Sequence, residues 1–169
     1  QNFPWGSRCA IQKKLPTGAL DATFNEGSFI LTAEQQETTF GAFSTFVLEE
    51  DPNTLDCISI VAGGYVTIPG TNPLRQQPIL VRVDAHSGEI DDLFGANETG
   101  IIFIYLPDGM SGHVTLLTID PETSDIIVEG TCKALNNLRE YEFIVIFYHD
   151  GTLREPLVIT QIPDAASAA

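Results

Sequence analysis

Three histidines come first, because histidine is the side chain that exchanges a proton near neutral pH. They are His86, His113 and His149. Asp84 lies two residues before His86, and Asp150 directly follows His149. Either neighbour pair supplies an acid and a base, but covalent chemistry also needs an activated nucleophile. The chain has no Gly-x-Ser-x-Gly elbow, no phosphate-binding loop and no His-Glu-x-x-His pair. His86 and His149, each in the turn before a repeat glycine, therefore read as solvated turn residues. No catalytic residue is assigned, and an enzyme is not expected.

Oxygen-rich turns are the next candidates. Asp51-Pro-Asn-Thr-Leu-Asp56 and Asp120-Pro-Glu-Thr-Ser-Asp125 each gather carboxylates. Calcium uses clustered hard oxygens, so Asp51, Asp56, Asp120 and Asp125 form weak candidate calcium turns. They lack the Asp-x-Asp-x-Asp-Gly spacing of a dedicated loop, and no other cofactor is implied. Cys9, Cys57 and Cys132 form no Cys-x-x-Cys metal pair. They fit one bridge plus a free thiol, or three reduced thiols. Trp5, Tyr65, Tyr105, Tyr141 and Tyr148 are candidate platforms for a sugar, although such aromatics are more often core or strand-face residues. Asn97-Glu-Thr99 is a glycosylation triplet, meaningful only in a eukaryotic secretory chain.

The elements that carry these residues repeat. Gly18-Ala-Leu-Asp-Ala-Thr-Phe24 returns as Gly88-Glu-Ile-Asp-Asp-Leu-Phe94, and again, eroded, as Gly151-Thr-Leu-Arg-Glu-Pro-Leu157. The intervals are 70 and 63 residues. Recurrence at such a period marks a repeat architecture. The two Asp-Pro turns correspond, as do Ile60-Val-Ala-Gly-Gly64 and Ile126-Ile-Val-Glu-Gly130. So do Asn72-Pro-Leu-Arg75 and Asn136-Asn-Leu-Arg139, and Ile79–Val83 and Phe143–Phe147. Each copy reads as a four-stranded meander, one at about 45–94 and one at about 113–158. The segment 8–24 is half of an earlier copy.

This pattern resembles the delta-60 repeat, a β-propeller repeat of bacteria and phages. The resemblance rests on Gly63-Gly64 after an apolar strand, Arg75 ahead of the third strand, and the closing Gly88 to Phe94 motif. The last copy keeps Gly130, Arg139 and Gly151 but carries Glu129, Arg154 and Leu157 where the pattern has Gly, Asp and Phe. The resemblance implies blade-like units with structural roles for Gly18, Phe24, Gly64, Arg75, Gly88, Phe94, Gly130, Arg139 and Gly151. A propeller closes with about four to eight blades. Two and a half units cannot close a ring, and open sheet edges invite another chain.

The fold expected is all-β in one domain over 1–169, built of antiparallel four-stranded units as propeller-like blades or a β-sandwich. Strands are predicted near 45–50, 57–62, 79–83, 89–94, 101–106, 114–119, 126–129, 142–148 and 152–160, from β-branched and aromatic runs bounded by Gly, Pro and Asp. Leu31–Thr39 is the best helical stretch, short and without a clear apolar face. Phe24 and Phe94 are expected to be buried, each anchoring the last strand of its unit, with Leu157 in the same place. Arg75 and Arg139 are expected to share one job, bonding backbone carbonyls or an Asp of their own unit, the alternative being solvated loop arginines.

The net charge of −15, from 23 acidic and 8 basic residues, excludes nucleic acid and anionic membrane surfaces as partners. Such charge suits a salty, screening medium. Gln1 in place of Met implies a processed or partial chain, and the Ala-rich tail 164–169 implies a contact that pins it. The expected role is structural. It is that of an assembly protein of a virion, such as a phage capsid or tail, or of an extracellular appendage. Its partners would be other subunits in a homo-oligomer or larger assembly, meeting at residues 1–10 and 160–169. The alternative is a lectin-like or cell-surface adhesion module with a glycan partner.

Overall fold

The computed structural model describes residues 9–30, 41–51 and 54–163. The candidate helix at 31–39, Trp5, and most of both terminal contact segments lie outside the described residues.

Among the described residues, ten strands form three antiparallel sheets. β1 (Ala10–Gln12) pairs with β2 (Ser28–Ile30). β3 (Gly41–Glu50), β4 (Cys57–Ile68), β5 (Arg75–Asp84) and β6 (Ile101–Phe103) form a second sheet in chain order. β7 (Met110–Ile119), β8 (Ile126–Ala134), β9 (Glu140–Phe147) and β10 (Leu153–Gln161) form a third, also in chain order. The sheets are open rather than closed into a barrel. The protein is all-β, and the two complete units are the two meanders. The only helical turn among the described residues is the 3-10 turn Asn25–Gly27.

One turn geometry recurs. The N–H of Leu55 donates to Asp51 O and that of Ser124 to Asp120 O, both at 2.8 Å. Leu55 and Ser124 both take positive φ, 61° and 58°. The β8–β9 turn repeats the device with Leu138, at φ 59°, bonded to Ala134 O at 2.8 Å.

The middle position of the second sheet explains its composition. Ile79, Val81 and Val83 of β5 pack with Phe24 and Phe29 of the first unit. Leu80, between them in sequence, packs with Val114, Val128 and Phe143 of the third unit. Side chains alternate between the faces of a strand, so a strand covered on both faces reads as a continuous apolar run. The described residues cover the third sheet on one face. Phe143, Val145 and Phe147 are buried there, while Glu142 and Ile144 point outward.

One predicted strand is absent. Residues 89–94 make a single bridge, Ile90 to Val83, and then turn. Asp91 Oδ1 accepts the Leu93 N–H at 3.1 Å, which curls the chain away from the sheet. Gly95 and Gly100, at φ 88° and 71°, complete the reversal. The place beside β5 is taken instead by β6.

Candidate functional site: the junctions between units

The closing motif of each unit clasps the next unit. Phe24 is fully buried, and its ring covers Gly88. Phe94 is fully buried, and its ring covers Gly151. A Cβ added at Gly88 would lie 3.0 Å from the Phe24 ring, and one at Gly151 would lie 2.8 Å from the Phe94 ring. The residue after each Phe donates its N–H to the carbonyl before that Gly. Asn25 bonds Ser87 O at 2.6 Å, and Gly95 bonds Asp150 O at 2.8 Å. This corrects the expected role of the phenylalanines: each anchors the following unit rather than the last strand of its own. Leu157 does not share that role. It is half-buried within β10 against the core beneath its own sheet.

A cation completes each clasp. Lys13 lies 3.6 Å from Asp21 of its own motif, donates to Ala85 O of the next unit at 3.2 Å, and sits 6.0 Å from the Phe24 ring centre. Arg82 does the same at the next junction, with better geometry. Its Nε donates to Asp91 Oδ2 at 2.7 Å, its Nη1 to His149 O at 2.6 Å, and its guanidinium stacks 4.5 Å from the Phe94 ring. Sequence reasoning missed both cations. The available signal was a buried Arg inside the apolar run Ile79–Val83, since Arg is rarely buried unless paired.

Around Arg82 a polar cluster spans the second junction. Glu49 of β3 is only 5% exposed. Its Oε2 accepts from the Ser59 hydroxyl and lies 3.8 Å from Arg82 Nη1. Its Oε1 is buried with no hydrogen-bond partner, 3.3 Å from His149 Nδ1. Glu49 was not anticipated.

The other predicted residues are dispersed. Asp84 accepts the N–H groups of Ser87 and His86, and these bonds, Ser87 foremost, hold its carboxyl below the usual range. Asp150 accepts from the Thr152 hydroxyl and N–H, with the same effect. Both are turn acceptors rather than bases for their histidines. His86 is exposed, and His113 meets the Tyr65 ring edge-on at 6.1 Å. Tyr141 flanks the core, Tyr148 lies 5.8 Å from the Arg154 guanidinium, and Tyr105 is exposed, so these aromatics have separate settings.

The candidate calcium turns use their oxygens internally. Asp51 and Asp120 accept backbone N–H bonds of their own turns. Asp125 is buried, accepts from the Thr123 hydroxyl and pairs with Arg154. Among the described residues no group of three ligating side chains is placed to hold a metal, Asp56 included.

Arg75 and Arg139 differ. Arg75 donates to the carbonyls of Leu106 at 3.1 Å and Pro107 at 3.4 Å, tying β5 to the loop before β7. Arg139 is exposed in the β8–β9 turn. The expected shared job fails because the third sheet has no following loop for Arg139 to hold among the described residues. Gly64 lies against the backbone of β3, and Gly130 lies against the Phe143 ring and the His113 carbonyl of β7.

All three cysteines are thiols, and burial pushes Cys9 up to about 12 and Cys132 to about 11. Thiols held that high are poor nucleophiles.

The third unit lacks the outgoing clasp. At the places of Arg82, Asp91 and Phe94 it carries Ile146, Arg154 and Leu157. Arg154 turns back to Asp125 of its own sheet. The strand after Gly151 stays paired with β9 instead of leaving the sheet. In the second sheet the Ser44 hydroxyl, at a bulge, donates to Val114 O of the third unit, and Gly63 leaves room for Val114 and Leu117. The corresponding bulge in β7 falls at Thr115, and Glu129 replaces Gly63. The outward face of the third sheet is therefore uncovered by the described residues. It holds a groove of about 340 Å³ lined by Thr115, Glu129, Thr131, Glu142, Ile144 and Val158, among others.

No protein-family model, curated protein or solved structure matches this chain.

Proposed function

We propose that this chain is a non-enzymatic structural protein of a virion or extracellular appendage, acting through contacts with other subunits. The outward face of the third sheet carries the reading. Its counterpart on the second sheet is covered by a neighbouring unit, whereas here Ile144 and Val158 are 38% and 53% exposed. Apolar side chains gathered on an open sheet face favour a protein partner. The likeness to delta-60 repeats and the charge of −15 support a setting outside the cell.

Sedimentation of the chain at micromolar concentration tests the reading. Self-association that Ile144→Glu abolishes, with the fold intact by circular dichroism, supports it. A monomer that shows no association with any subunit of its native particle overturns it. The second reading is a glycan-binding module. The three threonines and two glutamates around the groove favour it, since hydroxyls and carboxylates bond sugar hydroxyls. Binding to a glycan array, lost in Glu142→Ala, would select that reading.

A further inference from the structure

We propose that the free edge of β1 receives an extended strand of a partner polypeptide, which completes the first unit and covers Phe46. Two observations meet at this place. The first is an open edge. β1 pairs with β2 as β5 pairs with β6, so the first unit holds the last two strands of the meander. The other edge of β5 is paired with β4, but no strand of the described residues pairs with the other edge of β1. An unpaired edge is a template for a further strand. The second observation is an uncovered apolar floor beside that edge. Phe46 lies across from Ala62 and Val81, and Leu48 across from Ile60 and Val83, so both face the first unit, where Val81 and Val83 pack with Phe24. Yet Phe46 and Leu48 are 65% and 47% exposed. Between this floor and β1 runs a groove of about 420 Å³ lined by Ile11, Phe43, Phe46 and Ile60, among others. It continues the interface that Phe24, Phe29 and Ile79 already form.

The next junction shows what belongs there. Counted from the bulges at Ser44 and Thr115, Phe43 and Phe46 stand where Val114 and Leu117 stand in the third unit. Val114 and Leu117 are buried, packed in one cluster with Val47 of β3 and Val61 of β4. Gly63 of β4 lies over both, since a Cβ there would come within 2.8 Å of Val114 and 3.2 Å of Leu117. The cover is thus the first two strands of the preceding unit. Those are the strands that the first unit lacks among the described residues. The occupant follows from this comparison. It is a strand antiparallel to β1 that bonds its edge through the main chain and turns alternate apolar side chains into the groove. It carries glycine above Phe46, whose ring fills more space than the leucine at the next junction. β4 itself is paired on both edges and is not available to a second copy of this chain.

This groove lies on the face of the second sheet away from the third unit, so it does not rest on the reading of the third sheet. The probe is a synthetic peptide with the sequence Ser59–Ile68, the strand that fills the corresponding place in the second unit, flanked by lysines for solubility. A scrambled peptide of the same composition controls for charge. The full chain is titrated calorimetrically to about 1 mM peptide, the weak limit of specific association. Saturable binding is expected, with the scrambled peptide at least about tenfold weaker. Phe46→Glu should weaken binding at least about tenfold, and Ile144→Glu on the third sheet should leave it unchanged. Amide exchange across Ala10–Gln12 should slow when the peptide binds. No saturable binding, binding that survives Phe46→Glu or falls in Ile144→Glu, or slowing in β10 instead of β1 overturns the proposal. Phe46→Glu should also leave the urea midpoint of the peptide-free chain unchanged, because the ring is exposed. A lowered midpoint, or a variant that does not fold, would show that the chain covers Phe46 with its own residues, and that too overturns the partner strand.

Discussion

At the scale of single residues, the clasp makes one glycine position mean different things in different units. Gly18, Gly88 and Gly151 all have positive φ, at 85°, 72° and 82°. Alanine pays about 1–2 kcal/mol for that backbone region wherever it stands. A Cβ at Gly18 meets nothing within 4 Å, whereas at Gly88 and Gly151 it meets the Phe24 and Phe94 rings. Gly88→Ala and Gly151→Ala should therefore cost ~1–3 kcal/mol more than Gly18→Ala, the usual cost of overpacking. Equal urea midpoints for the three variants would refute the clasp. Phe94→Ala removes a fully buried ring and the surface on which Arg82 stacks. A loss of about 3–5 kcal/mol is expected, read from the same denaturation curves.

The turns carry the acid sensitivity at the scale of elements. Asp84 lies at the end of β5, and Asp120 opens the β7–β8 turn. Bonds from Ser87 N–H to Asp84 and from Glu122 N–H to Asp120 hold both carboxyls below the usual range. The unfolded chain binds protons more readily at these sites. Their contribution is present above the ordinary carboxyl value of about 3.9 and fades as pH falls through the lower folded value. Asn keeps the side-chain oxygen that accepts these bonds but does not titrate. Asp84→Asn and Asp120→Asn should flatten the fall in urea midpoint between about pH 5 and pH 2. An unchanged slope in the double variant would show that these turns are not the source.

Charge governs the whole molecule. A net −15 on 169 residues repels itself in the compact state. Raising salt from about 0.01 M to about 0.1 M shortens the screening length from ~30 Å to ~10 Å. The thermal midpoint should rise across that range, as calorimetry would show. A midpoint that falls would mean that attractive pairs such as Arg82–Asp91 outweigh the overall repulsion. The stacked order also makes the second sheet the keystone, since the described residues pack it on both faces. Amide exchange should be slowest in β4 and β5 and faster in β10, whose outer edge no strand of the described residues pairs.

The all-β fold and its paired meanders were legible from the residues alone. Strand periodicity, Asp-Pro turns and recurring glycines are local signals, fixed by backbone sterics and by which face of a strand must be apolar. The destination of each Phe was not legible. The closing motif looks the same whether its ring packs within the unit or onto the next. The spurious strand at 89–94 came from the same ambiguity, since Ile90 and Phe94 look like strand residues until Asp91 bends the chain. Nor was the junction cluster legible. Glu49, Arg82, Asp91 and His149 lie on separate segments of the chain, and of the four only Asp91 belongs to the closing motif. The second unit gathers the first three, and only packing of its sheet against the third brings His149 to them. That packing alone leaves a buried carboxylate facing a histidine.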